Sequence, residues 1–240
     1  MKKFAPDTFF NGNIVVKQEK KGYRFSIDAV LLSDFVKPKP HDIIADLGTG
    51  SGIIPLILAH RYPETDYIGI EIQKELADLA IQNVLDNNLQ DRIRIVCRDM
   101  KSVDINMISG PVDIVVCNPP YHKPGSGRIN PDSQRAVARH EIKVTLDGVL
   151  ETANRLLRTA GRFLCIYPAE RLTDLMATMR RVGVEPKQLR IIHSRTGEGA
   201  RLLLMEGMKG AQPGIKIAPP LYVYKDRHDY TDEVGKMFIP

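Results

Sequence analysis

Cysteine is scarce in this chain, and its pattern does not suggest pairing. The 240 residues hold three: Cys97, Cys117 and Cys165. An odd, scattered set argues against a disulfide framework and for a reducing compartment. Each lies within or at the end of an apolar run that reads as a buried strand. All three are therefore expected to be buried thiols acting as small hydrophobes. No apolar run reaches the ~20 residues that a membrane span needs, so no membrane partner is expected. Residues 1–10 are basic and then polar, without a long apolar stretch. No signal peptide is expected, and the site of action is expected to be cytoplasmic. There is no internal repeat and no low-complexity segment. His122 and His140 lack the Cys/His spacing of a zinc site, so no metal is expected.

What is present is ordinary for a soluble globular protein, with 43% hydrophobic and 26% charged residues. The length suits one large α/β domain. The formal net charge is +5 and the pI is near 9.0. That balance is compatible with a polyanionic partner without demonstrating one.

Residues 42–207 alternate between short β-rich runs and amphipathic helical stretches. Strands are expected at 42–47, 66–71, 92–97, 112–117, 161–167, 187–194 and 200–206. Near-continuous apolar runs such as Ile114-Val115-Val116-Cys117 suit parallel strands covered on both faces. A helix over 73–88 places Leu76, Leu79, Ala80 and Val84 on one face. The pattern implies a doubly wound, seven-stranded sheet, mostly parallel. Only Arg195 to Gly199 separate the last two strands. That is too short for a right-handed crossover, so the last strand should be antiparallel. Three segments follow: a lead-in over 1–41, with a strand pair within 9–18 and a helix over 27–36 capped by Ser26; a main domain over 42–210; and a tail over 211–240.

The first strand of the main domain runs into Asp46-Leu47-Gly48-Thr49-Gly50-Ser51-Gly52. Glycines at alternate positions permit a sharp turn and a close ligand approach. Any tight βα turn can carry glycines, but two features narrow the reading. The spacing is G-x-G-x-G rather than the dinucleotide G-x-G-x-x-G, and an acid precedes it. A ligand carrying an amino group and a sulfonium would favour that acid, whereas a pyrophosphate would not. Glu71 ends the second strand, about 20 residues past the turn, where a carboxylate can accept ribose hydroxyls. Asp99 follows the third strand in Cys97-Arg98-Asp99-Met100. It can accept an adenine amino group or simply cap the next helix, and both readings stay open.

The fourth strand ends in Asn118-Pro119-Pro120-Tyr121, at the carboxyl edge where α/β sheets bind ligands. The exocyclic amine of adenine is a poor nucleophile because its lone pair is delocalised into the ring. Two acceptors for its two N–H bonds favour a more pyramidal nitrogen. Asn118 offers a side-chain carbonyl and Pro119 a main-chain carbonyl. The two prolines fix φ near ~−65°, so these acceptors need little reordering. Tyr121 supplies an aromatic face on which a displaced base can stack.

At these residues the chain resembles the class I S-adenosylmethionine-dependent methyltransferases bearing an Asn-Pro-Pro-Tyr motif. Within them it is most similar to the bacterial tRNA(Val) adenine-37 N6-methyltransferases. Gly22-Tyr23-Arg24-Phe25-Ser26-Ile27-Asp28, Ala138-Arg139-His140-Glu141 and Pro219-Pro220-Leu221-Tyr222-Val223-Tyr224 carry the narrower resemblance. It implies S-adenosylmethionine as cofactor, tRNA as partner, and transfer to N6 of an adenine beside an anticodon. It also implies a cofactor site built from Arg24, Ser26, Asp46, Gly48, Thr49, Gly50, Gly52, Glu71, Ile72, Asp99, Met100 and Asn118. Asn118, Pro119 and Tyr121 would serve catalysis. The stretch from His122 to His140 holds Lys123, Arg128, Arg135 and Arg139 against one acid, Asp132, which fits phosphate contacts. Lys20 and Lys21 extend that basic set.

Other readings compete. Protein glutamine N5-methyltransferases share the motif, because a carboxamide nitrogen is also planar. They carry a sizeable helical domain ahead of the glycine turn, and only 45 residues precede Asp46 here. Enzymes of ribosomal RNA guanine N2 remain open. So does a module that only binds RNA, against which the complete set Asp46, Glu71, Asp99, Asn118 and Tyr121 argues. A nicotinamide dehydrogenase is disfavoured by the glycine spacing.

Overall fold

The computed structural model describes residues 4–19, 27–119, 145–226 and 229–239. The chain opens on an antiparallel hairpin, β1 (Phe4–Phe9) and β2 (Ile14–Glu19), followed by α1 (Ile27–Phe35). Strands and helices then alternate: β3 (Ile43–Leu47), α2 (Ile53–Arg61), β4 (Asp66–Glu71), α3 (Lys74–Asp86), β5 (Ile93–Cys97) and β6 (Val112–Cys117). After the interval 120–144 come α4 (Leu146–Leu156), β7 (Leu157–Pro168), α5 (Leu172–Arg181), β8 (Val184–His193) and β9 (Ala200–Lys209). Two short strands, β10 (Lys216–Ile217) and β11 (Leu221–Tyr222), and helix α6 (Asp232–Lys236) complete the chain.

The main sheet runs β10-β8-β9-β7-β6-β3-β4-β5, with β11 also pairing β8. Strands β3 to β7 pair in parallel, and β9 is antiparallel to both its neighbours. The expected hairpin at the end of the series is present. The seven expected strands are extended by β10 and β11, which are too short to leave a periodic signal.

Strand β6 shows why the core divides in two. Ile114 and Val116 face one layer, and Val115 and Cys117 face the other, as the two-residue alternation of a strand requires. The first layer holds the hairpin, α1, α2 and the C-terminal segment. The second holds α4 and α5. Helix α2 is buried from Ile53 through Ala59, the behaviour of a helix apolar on all sides. Each fully buried Leu or Ile there contributes about 1.5–3 kcal/mol by removal from water. Beyond residue 210, Leu221, Val223, Val234 and Met237 are buried in the first layer.

Cys117 and Cys165 are buried, and burial pushes both thiols up from their ordinary range. Cys97 departs from expectation, because it is exposed. It ends β5, the strand at the sheet's edge, which has a neighbour on one side only and whose last residues lose cover. No helix among the described residues is long and apolar enough to cross a membrane.

Candidate active site

The chain reverses its direction of growth at β3. Strands β4 and β5 add on one side, β6 and β7 on the other. Such a switch point leaves a crevice beyond the carboxyl ends of the strands. The register places the chemistry along that edge. Leu47 is opposite both Ile70 and Cys117, and Glu71 is opposite Cys97. Gly48, Glu71, the segment leading to Asp99, and Asn118 therefore close four adjacent strands. At about 4.8 Å per strand they span roughly 14 Å.

The turn after β3 is tied down by backbone bonds. Gly48 N and Thr49 N both donate to the Ile70 carbonyl, at 2.8 and 3.0 Å. Gly48, Gly50 and Gly52 all adopt left-handed φ, of 75°, 58° and 82°. Gly52 is doubly constrained, because a Cβ there would also lie 3.3 Å from the Ala80 side chain. The expectations for this turn miss Gly69, in the middle of β4. A Cβ at Gly69 would lie 2.8 Å from the Thr49 side chain and 2.7 Å from Ile95. Glycine inside a strand is the signal for such close approach.

Asp46 is 1% exposed, and neither carboxylate oxygen has a hydrogen-bond partner among the described residues. The buried Thr49 hydroxyl is likewise unpartnered. Burial pushes the Asp46 carboxyl up to about 7; the nearby Thr49 hydroxyl draws it down and the Glu71 carboxylate pushes it up further. The Thr49 hydroxyl is thus close enough to act on the carboxyl without making a well-formed hydrogen bond to it. Buried polar groups are almost always satisfied, and an unpaired buried charge is costly. A cationic, hydrogen-bond-donating ligand fits this donor-poor position.

Glu71 is also buried, but it is partnered. One oxygen accepts the Gly50 N–H at 3.0 Å and the other accepts the Gln73 N–H at 2.8 Å. The carboxylate thus braces the glycine turn and the N-cap of α3 while its remaining lone pairs can accept ribose hydroxyls. Ile72 follows it, partly buried. Asp99 caps a single 3-10 turn, Met100–Ser102, by accepting the Lys101 N–H at 3.0 Å. Arg155 of α4 holds that turn by donating to the carbonyls of Met100, Lys101 and Val103 at 3.0–3.1 Å. Arg155 is a further supporting residue that sequence reading misses. Its signal is ordinary, a lone Arg on an amphipathic helix, and only the fold brings it to the turn.

Asn118 and Pro119 directly follow β6 and are partly exposed. The structure thus gathers Asp46, Gly48, Thr49, Gly50, Gly52, Glu71, Ile72, Asp99, Met100, Asn118 and Pro119 at one edge. Arg24, Ser26, Lys20, Lys21, Tyr121, Lys123, Arg128, Arg135 and Arg139 lie outside the described residues. Among the described residues no group of three or more His, Cys, Asp or Glu side chains could hold a metal ion.

This sheet order and edge constellation define a Rossmann-like methyltransferase. The model of the methyltransferase small domain family matches residues 26–179. A tRNA1(Val) (adenine(37)-N6)-methyltransferase of Porphyromonas gingivalis is 34% identical over 195 residues, covering 78% of this chain and 76% of that protein. One of Bacteroides thetaiotaomicron is 30% identical over 231 residues, covering 92% and 91%. The crystal structure of a predicted O-methyltransferase from Agrobacterium tumefaciens superposes with a TM-score of 0.69 over 88% of this chain and 94% of its own, at 22% identity. That last likeness speaks for the fold alone. The chain belongs to the methyltransferase small domain family of S-adenosylmethionine-dependent enzymes.

Proposed function

We propose that this enzyme methylates the exocyclic N6 amine of an adenine in tRNA, near the anticodon, and that it acts in the cytoplasm. S-adenosylmethionine supplies the methyl group from its sulfonium. The observation that carries the reading is Asn118-Pro119 at the end of β6, beside the glycine turn, in a chain 34% identical to a relative named for that reaction. Asn118 and Pro119 accept the two N–H hydrogens of the target amine, and Tyr121 stacks on the base. No strong general base is required, since the cationic product loses a proton readily after transfer. Glu71 accepts the ribose hydroxyls, Asp99 faces the adenine end, and Asp46 takes the cationic end. The deciding assay incubates the protein with labelled S-adenosylmethionine and separate pools of tRNA, rRNA, DNA and release factor. Label should enter tRNA alone, as N6-methyladenine; label in any other pool instead would refute the reading.

Asp46 gives this assignment a pH signature. The folded carboxyl keeps its proton up to about pH 7, against 3.8 when unperturbed. Between those values the folded chain binds a proton that the unfolded chain has lost, so this group lowers the stability of the ligand-free protein as pH rises. A cationic ligand needs the carboxylate, so its binding expels the proton. Affinity for S-adenosylhomocysteine should therefore rise on the order of tenfold between about pH 5.5 and about pH 7. Asp46→Asn should bind more weakly and with a flat profile. Titration calorimetry in buffers of different ionisation enthalpy counts the proton; a flat wild-type profile would reject the contact.

The basic residues Lys20, Lys21, Lys123, Arg128, Arg135 and Arg139 contact RNA phosphates in this reading, so RNA affinity should fall steeply with salt. Replacing Arg128, Arg135 and Arg139 together by Ala should reduce the slope of log affinity against log salt by roughly 2–3. An unaltered slope in filter-binding assays would place the electrostatic footprint elsewhere.

A further inference from the structure

Helix α3 and its C-cap supply two asparagines four residues apart, Asn83 within the helix and Asn87 at the cap, and both bond the N-terminal hairpin. Asn87 accepts the Val15 N–H at 2.9 Å and donates to the Val15 carbonyl at 2.7 Å. Asn83 accepts the Lys17 N–H at 2.8 Å and donates to the Lys17 carbonyl at 3.2 Å. The spacing is a match of two periods. Four helical residues rise about 6 Å, and two strand residues rise about 7 Å. The two carboxamides thus pair with the outward edge of β2 as a third strand would.

The hairpin is built to offer that edge. Residues 15 and 17 direct their backbone groups away from β1, since those groups are taken by α3. Pro6 is the residue opposite Lys17. Proline has no N–H to give, and this non-bonded position of the ladder asks for none. Meanwhile Ile14, Val16 and Gln18 are buried. An ion pair from Lys17 to Asp86, at 2.6 Å and partly exposed, adds little beside this.

Asn83 differs from Asn87 in one respect. Its amide makes a further bond, donating to the Ser51 carbonyl at 2.9 Å. Ser51 lies inside the glycine turn, between Gly50 and Gly52. The side chain of Asn83 is fully buried, so no water replaces any of these three bonds. Asn87 spends its corresponding hydrogen on the Asn83 carbonyl of its own helix, at 2.7 Å. Of the two asparagines, Asn83 is the one that joins the hairpin to the turn.

We infer that Asn83 is a positioning residue of the cofactor site, transmitting the docking of the N-terminal hairpin to the glycine turn through the Ser51 carbonyl. The inference rests on the S-adenosylmethionine reading above. Loss of the carboxamide leaves a buried carbonyl in the turn and two backbone groups of β2 without partners. The turn then relaxes from the shape that receives the cofactor. Asn87→Ala weakens hairpin docking but leaves the Ser51 carbonyl held.

The test compares Asn83→Ala with Asn87→Ala in the full chain. Both should lower Tm. Asn83→Ala should weaken S-adenosylhomocysteine binding on the order of tenfold, the upper part of the range for residues that couple sites. It should raise KM for S-adenosylmethionine by a similar factor, with kcat at saturation within about threefold. Asn87→Ala should keep both constants within about threefold. A merely structural role would move Tm in both and KM in neither, and that result overturns the inference, as does an equal loss of affinity in both. Should Asn83→Ala not fold, hydrogen exchange on the wild-type protein decides. By reciprocity of linkage, S-adenosylhomocysteine should slow exchange of the Lys17 and Val15 amides, and an unchanged rate overturns the coupling. If the wild-type protein binds no S-adenosylhomocysteine, the cofactor reading itself has failed, which calorimetry shows before any variant is made.

Discussion

Asn118→Ala should lower the single-turnover rate of methyl transfer on the order of 10²-fold or more, the scale of removing one preorganised transition-state partner. The target amine loses one of two acceptors, while the turn after β3, Glu71 and the basic residues are untouched. The lost contact matters more in the transition state than in the ground state. As the nitrogen gains positive charge its N–H bonds grow more polar, and an acceptor aimed at them gains strength. The effect should fall on turnover, with affinity for S-adenosylhomocysteine changed by less than about threefold. Asn118 is well placed for such a separation. It follows Cys117, the last paired residue of β6, which is fixed opposite both Leu47 and Cys165. The strand that presents the carboxamide is therefore held by backbone pairing on both sides. Single-turnover assays on a tRNA substrate, with binding measured separately, test this. Near-normal rates would sink the mechanism whatever the fold.

Much of this arrangement is legible in the sequence, and the exceptions have physical causes. Strands β4 and β6 have the expected bounds because both are interior, covered on two faces and flanked by turn residues. Strand β7 starts earlier than expected, at Leu157 rather than Gly161. Arg158, Thr159 and Ala160 are exposed, so the apolar run that marks a buried strand begins only after them. Strand β8 likewise begins at Val184, ahead of a Pro186 that sits at a register shift against β9, where proline is tolerated. The hairpin is displaced too, with β1 at Phe4–Phe9 and the turn at Phe10, a non-glycine residue with φ 49°. Composition gives no warning of a left-handed Phe.

The site divides along the same line. Asp46, the glycines, Glu71 and Asn118 stand at strand ends, and strand ends are marked by periodicity. Asp99 caps the Met100–Ser102 turn through one carboxylate oxygen, which leaves both readings of this acid open. Asn83 could not be read. On a helical wheel it is a polar residue beside Leu79, Ala80 and Val84, and its burial is allowed only by partners 66 and 32 residues away. Leu76, expected on the buried face, is only partly covered. Long-range polar partners of this kind obey no local period.

Glu71→Ala should reduce affinity for S-adenosylhomocysteine on the order of 10²-fold, because one substitution removes two functions. The ribose hydroxyls lose their acceptor. The glycine turn loses its brace, since the carboxylate accepts the Gly50 N–H on one oxygen and the Gln73 N–H on the other. Hydrogen bonds to a charged group contribute about 1.5–3 kcal/mol each, and a buried donor left unpaired costs about 1–3 kcal/mol. Either loss alone accounts for roughly tenfold or more. Glu71→Gln separates the two functions from simple loss of volume. The amide keeps one oxygen for one backbone N–H, but its NH2 group then meets the other N–H donor to donor. The glutamine variant should therefore recover little of the lost affinity, even though it nearly matches the shape. Its defect should be visible without ligand, as faster hydrogen exchange at Gly50 or Gln73, whichever amide meets the NH2 group. Calorimetry on the three proteins, with exchange measured in parallel, decides. Wild-type affinity in a folded Glu71→Ala protein would reject the ribose assignment and the brace together. Full recovery in Glu71→Gln would show that shape, and not two acceptor oxygens, is what the turn requires.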